Sequence, residues 1–109
     1  MELRFEEREG ILVVTPLAAR IDAIAAPEFR AQVGERAAGR SLLVLDLTQV
    51  AFIDSSGLAA VISVLKRLAP GGALRIAAPS EAVKSLLKIT RLEKIFPAWL
   101  DLEKALRGG

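Results

Sequence analysis

Cysteine and histidine are both absent from the 109 residues. Without cysteine there is no disulfide, thiol nucleophile or thiolate metal site, and without histidine neither the usual zinc spacings nor Ser-His-Asp catalysis can be assembled. Those absences remove most familiar hydrolase chemistries, and no paired Asp and Glu constellation supports acid-base work, so no catalytic centre, metal site or cofactor is expected. Aromatic residues are scarce, limited to Phe5, Phe29, Phe52, Phe96 and Trp99. An excess of one charge is missing too: 15 Lys and Arg stand against 13 Asp and Glu, a formal net charge of +2, with the two signs interspersed. Nucleic-acid binding needs clustered basic residues interleaved with exposed aromatics, so no direct nucleic-acid contact is expected. Long apolar runs are lacking as well. The most apolar stretch, Val50 to Leu65, is interrupted by Asp54, Ser55 and Ser56 and is too short to span a bilayer. The start, Met1-Glu2-Leu3-Arg4-Phe5-Glu6-Glu7-Arg8, alternates apolar and charged residues and has no signal-peptide pattern. A cytoplasmic protein without membrane insertion is the expectation.

What is present is hydrophobic content, 52% of residues, enough for one compact domain over 1–109. Leu3 to Glu6 alternates, Glu9-Gly10 offers a turn, and Ile11 to Thr15 is largely β-branched or apolar, which predicts a hairpin at a sheet edge ended by Pro16. Ile21 to Ala26 reads as a loop leading to Pro27, after which Phe29, Val33 and Ala37 recur at spacing four until Gly39. Leu42 to Leu47 is nearly continuous in apolar residues, as a strand covered on both faces requires. A helix follows from Gly57 to Leu68, then a turn at Pro70-Gly71-Gly72 and a strand over Ala73 to Ala77. Ser80 caps a helix over Glu81 to Ile89, Phe96 to Trp99 is a short extended segment, and a last helix runs from about Asp101 to Leu106. The predicted order is β-β-α-β-α-β-α-β-α. Leu86, Leu87, Ile89 and Leu92 are assigned to the core, Trp99 to a place under the last helix, and Arg4, Arg8, Arg20, Arg36 and Arg40 to solvated surface.

The chemistry concentrates at Asp54-Ser55-Ser56-Gly57, where an apolar strand-like run stops and a helix opens. Taken alone, these residues are a helix N-cap, whose side-chain oxygens accept from the free amides of the first turn. The small residues Gly57, Ala59, Ala60 and Ser63 would let another surface approach that turn. A phosphate on either serine would meet unpaired amides and the positive end of the helix dipole. Neither serine has a plausible general base in this sequence apart from Asp54, so the serines suit an acceptor better than a catalyst.

The run Leu45 to Leu58, together with the early hairpin, the loop Ala19-Arg20-Ile21-Asp22 and the ending Leu92-Glu93-Lys94-Ile95-Phe96, resembles the STAS family, in particular the bacterial anti-sigma-factor antagonists. The resemblance implies a STAS-like α/β domain with a mixed central sheet, an N-terminal hairpin and helices packed mainly on one face. It further implies a protein that is not an enzyme and that, unphosphorylated, binds an anti-sigma factor serine kinase and thereby frees a sigma factor. Phosphorylation would fall on Ser56, with Ser55 as runner-up, and a metal-dependent serine phosphatase would reverse it. The implied partner surface comprises Asp22, Asp54, Ser55, Gly57, Leu58 and Ala60. Ala19 departs from the glycine that commonly begins this family's loop, which limits positive φ there. Stand-alone STAS proteins also resemble accessory subunits of membrane lipid ABC transporters, the alternative reading, and self-association into a homodimer stays open.

Overall fold

The computed structural model describes residues 1–108. Strands β1 (Leu3–Arg8) and β2 (Ile11–Pro16) form the antiparallel hairpin, paired from Leu3 opposite Pro16 to Arg8 opposite Ile11. That register leaves only Glu9 and Gly10 in the turn, and both take positive φ, 54° and 81°, the conformation that matches the right-handed twist of the flanking strands. Arg40 then braces the hairpin from outside, donating from Nη1 and Nη2 to the two Glu7 carboxylate oxygens at 2.7 Å each.

From β2 the chain passes through β3 (Arg20–Ile21) and helix α1 (Ala26–Ala37) to β4 (Leu42–Asp46), which pairs parallel to β2. It continues through β5 (Phe52–Ile53) and α2 (Ser55–Arg67) to β6 (Ala73–Ala77), parallel to β4. Helix α3 (Glu81–Ile89), β7 (Ala98–Trp99), parallel to β6, and α4 (Leu102–Arg107) complete the chain. The main sheet has the order β1-β2-β4-β6-β7, so the hairpin does occupy an edge. The mixed α/β architecture expected from the sequence is the one observed.

Alternation along the buried strands sorts the core into two layers. Leu12, Val14, Leu43, Leu45, Leu74 and Ile76 face the layer built by α1, α2 and α3, where Phe29, Val33, Val61, Val64 and Leu87 are buried. Val13, Val44 and Ala77 face the opposite side, where Ala105 of α4 packs with Trp99, Leu102 and Leu106. Three helices therefore lie on one face and a single short one on the other. Arg75 fixes that short helix by donating to the carbonyls of Ala105 (2.9 Å) and Leu106 (3.3 Å), where the negative end of the helix dipole favours a cation.

The predicted order omitted β3 and β5, which pair with each other in a separate two-stranded parallel sheet. Two residues are too few to carry an alternation, and Ile21, placed in a loop from the sequence, is fully buried in β3. Helix α2 starts at Ser55, two residues before the expected Gly57, with Asp54 as its cap. Ile89 is 79% exposed and leaves the predicted core, because it ends α3 on the side away from Val83 and Leu87. Four of the five arginines assigned to open surface are partnered: Arg40 with Glu7, Arg8 with Glu103, Arg36 over Phe5 and Arg20 over Phe52.

Two outcomes test this account. Phe96 is fully buried at the turn between α3 and β7, and Phe96→Ala is expected to cost about 3–5 kcal/mol, read as a lower urea midpoint at unchanged m-value. Hydrogen bonds from Arg40, aided by its charge, hold the Glu7 carboxyl below the usual carboxylate range. A depressed carboxylate contributes stability above its unfolded pKa and loses it as pH falls through the folded value. Arg40→Gln should therefore move the Glu7 titration upward in side-chain NMR, toward the ordinary value.

Candidate functional site

The junction at Asp54 is built by the strand pair that the sequence did not reveal. Parallel pairing sets Arg20 opposite Phe52 and Ile21 opposite Ile53, so the loops leaving both strands emerge side by side. The Ala19 carbonyl accepts from the Ala51 amide at 2.7 Å and the Phe52 amide at 3.2 Å, and the Asp54 amide donates to the Ile21 carbonyl at 3.3 Å. Ala19 does this without positive φ, so the conformation that its methyl group would disfavour is not required here. Ser80 closes the far side: its hydroxyl donates to the Ala51 carbonyl at 2.9 Å and accepts from the Val83 amide at 3.2 Å, capping α3 against β5.

The Asp54 carboxylate joins the two loops. Oδ1 accepts from the Gly57 amide at 2.9 Å, the N-cap bond, and Oδ2 accepts from the Ala23 amide at 3.2 Å in the neighbouring loop. Asp22 organises that neighbour: its Oδ1 accepts from the amides of Ile24 and Ala25, both at 3.1 Å, and its backbone carbonyl accepts from Ala26 at the start of α1. Asp22 thus turns the chain into α1, a task the Ala25 side chain cannot perform.

Asp22, Asp54, Ser55 and Ser56 are brought together around the first turn of α2. Asp54 is the cap, and Ser55, expected as a neighbouring cap, is instead the first helical residue and faces solvent. Ser56 is half-buried. Among the described residues neither serine hydroxyl has a hydrogen-bond partner, and the Ser55 and Ser56 amides have none either, as the first turn of a helix leaves them.

Gly57, Leu58 and Ala60 point inward, with Leu58 at 7% and Ala60 at 1% exposure. The surface that approaches Gly57 is this chain's own backbone: a Cβ there would lie 2.1 Å from the Ile21 carbonyl oxygen and 2.9 Å from Ile53 Cγ2. The small side chains thus serve internal packing at these positions, while Ala59 and the half-exposed Ser63 remain on the outer face. Sequence reasoning missed Phe52, which is 41% exposed beneath the Arg20 guanidinium, and Ile24, which is 90% exposed on the Asp22 loop. Their signal was an aromatic and a branched aliphatic residue flanking the carboxylates, legible only once β3 and β5 are paired.

A five-stranded mixed sheet with an Asp-capped helix start, held by a short parallel ladder beside it, is the architecture of a STAS domain. The chain belongs to that family, whose sequence profile matches residues 2–105. An anti-sigma factor antagonist from Mycobacterium paratuberculosis is 28% identical, with a TM-score of 0.88 over 98% of this chain and 92% of that one. The anti-sigma factor antagonist SpoIIAA in its unphosphorylated form has the same fold at 20% identity (TM-score 0.78, 99% of this chain and 98% of that one). So does the Bacillus cell fate determinant SpoIIAA in the phosphorylated form, at 20% identity (TM-score 0.71, 98% of both chains). No helix among the described residues is long and apolar enough to cross a membrane.

Glycine inside a helix is ordinarily worse than alanine by about 1 kcal/mol. Gly57→Ala is expected to reverse that sign and cost roughly 1–3 kcal/mol, because two backbone segments must separate to admit the methyl group. Urea denaturation measures it, and a gain in stability would show that the Ile21 approach is not constraining.

Proposed function

We propose that this domain is an anti-sigma-factor antagonist. In this reading the unphosphorylated form binds an anti-sigma serine kinase, which releases its sigma factor, and residues 1–109 act as one STAS module in the cytoplasm. Phosphorylation of Ser56, or of Ser55 as the second choice, switches it off, and a metal-dependent serine phosphatase restores it. The observation that carries the reading is the pair of unpartnered serine hydroxyls on the first turn of α2, beside carboxylates already committed to backbone amides.

That commitment argues for an acceptor that reacts only with help. Asp54 receives the Gly57 and Ala23 amides, which leaves it poorly placed to take a proton from either neighbouring hydroxyl. The partner kinase would therefore supply the base, the nucleotide and the metal; the γ-phosphoryl group passes to the serine oxygen, the hydroxyl proton to the kinase's base, and ADP leaves. The domain contributes presentation, not catalysis.

Phosphorylation adds about −1.5 to −2 charge at neutral pH. The helix dipole attracts it, but Asp22 and Asp54 already place two carboxylates at the junction. A partner packed over Asp22, Asp54 and Ser55, with Gly57, Leu58 and Ala60 as the rigid floor beneath, would lose binding through charge, bulk and the cost of desolvating the phosphate. Ile24 and Phe52 would give such a partner apolar contact area at the rim of the serine pair.

The test is capture from the native host's lysate by Ser56→Ala and Ser56→Asp forms, followed by mass spectrometry and a binding isotherm for the recovered partner. The alanine form should recover a serine-kinase anti-sigma factor and bind it at least about tenfold more tightly than the aspartate form, a difference of about 1.4 kcal/mol. Equal recovery of a transporter ATPase or permease by both forms would instead make the domain a constitutive subunit of a membrane lipid ABC transporter.

A further inference from the structure

Arg20 is the only basic residue in either segment that frames the serines, residues 19–26 and 50–58. Its side chain is 65% exposed, its guanidinium carbon lies 5.2 Å from the centroid of the Phe52 ring, and its Nε stands 3.9 Å from Asp22 Oδ2. That ion pair is at the outer limit of contact, and Asp22 is already engaged by two amides through its other oxygen. The aromatic plate thus orients the guanidinium, the carboxylate holds it loosely, and most of its donors are left to solvent. Its position is set by the ladder: Arg20 directly precedes Ile21, whose carbonyl packs on Gly57 in the first turn of α2.

We propose that Arg20 is the counter-ion of the phosphorylated serine, leaving Asp22 to engage the phosphoryl group on Ser56. The inference rests on the phosphorylation switch proposed above and adds how its off state is held. Charge and geometry favour the exchange. Asp22 offers one charge at 3.9 Å, whereas a phosphoryl group offers nearly two, with three strong acceptor oxygens that suit the planar guanidinium fork.

The other cations nearby belong to the helices and lie outside both framing segments, Arg30 and Arg36 on α1 and Lys88 on α3 among them. On α3, which packs against β5, Lys84 is paired with Glu81 at 3.3 Å. On α1, Glu28 holds the N-terminal ammonium at 2.8 Å, and the cations of α2, Lys66 and Arg67, lie in its last turn. Asp54 remains on its two amides. Arg20, the one cation within the two segments that frame the serines, is the candidate to answer a phosphate, and its departure would open Asp22 Oδ2 on the partner surface. Phosphorylation then changes that surface twice, once by adding charge and once by redistributing the charge already there.

The test places phosphoserine at position 56 of the full chain by genetic encoding and follows its second ionisation by phosphorus NMR from about pH 4 to pH 8, around the ordinary value of ~6. A nearby cation favours the dianion, so it lowers that pKa, and removing the cation raises it. Arg20→Gln should raise it by about half a unit, a threefold change in proton affinity, after allowance for solvent screening of an exposed pair. Arg20→Lys should recover part of the difference, as a charge effect requires, and Arg36→Gln, at the far end of α1, should leave the titration unchanged. An Arg20→Gln titration that overlays the native one overturns the proposal, as does Arg20→Lys matching Arg20→Gln or Arg36→Gln shifting as far. Because the phosphoserine is installed during synthesis, no kinase is needed. A flat titration removes Arg20 from the switch and leaves kinase capture intact, whereas failed kinase capture removes the switch and leaves the titration readable.

Discussion

The Ile21 carbonyl occupies the space where any side chain on residue 57 would have to stand. This contact fixes the distance between the β3 and β5 segments, and the rest of the junction is arranged around it. Asp54 can reach Ala23 across the gap only because the two loops are that close, and the same carboxylate caps α2 through the Gly57 amide. One residue without a side chain and one carboxylate with two acceptor oxygens thus join the starts of α1 and α2 into a single structural unit. Helix packing reinforces it, since Phe29, Val33, Val61 and Val64 bury the two helices against the same sheet face.

Rigidity at this place has a chemical consequence. Every carboxylate oxygen at the junction except Asp22 Oδ2 is held by at least one backbone amide, so the surface around Ser55 and Ser56 is preorganised and its charges cannot easily turn away from a newcomer. In the proposed switch, a phosphate added there would meet carboxylates held on backbone amides, with the loosely paired Arg20 guanidinium free to turn toward it. The opposite sheet face has a different character: α4 is short and is held by Arg75 and the Trp99 cluster, far from the serines in the topology. The two faces of the sheet therefore differ, one carrying the Asp54 junction and the other closed by α4.

Much of this was legible in the residues. Apolar continuity marked β4 because a central parallel strand is covered on both faces, and Ser80 and Asp101 announced α3 and α4 because a side-chain acceptor before an amphipathic run satisfies the first-turn amides. Asp54 to Gly57 was recognisable as a helix start for the same reason. What escaped were features that need two distant segments at once. The β3–β5 ladder spans two residues on each side, below any detectable period, and its partners are 32 positions apart. Without it, Phe52 carried no assignment, and Gly57 and Ala60 read as small residues that let another surface approach the first turn, whereas both are buried.

The sequence by itself determined the α/β class, the main-sheet elements and the helix start at Asp54. Local propensity, capping and hydrophobic period are short-range properties written in consecutive residues, and the absence of cysteine and histidine removed the commonest catalytic and metal-binding alternatives outright. Only the tertiary structure decided which way the residues at the helix start face and what each carboxylate holds. Those outcomes depend on the distance between chain segments far apart in sequence, which is set by packing: the two-stranded ladder brings β3 beside β5, the Ile21 carbonyl excludes a side chain at position 57, and among the described residues the hydroxyls and amides of Ser55 and Ser56 are left without partners on the first turn of α2.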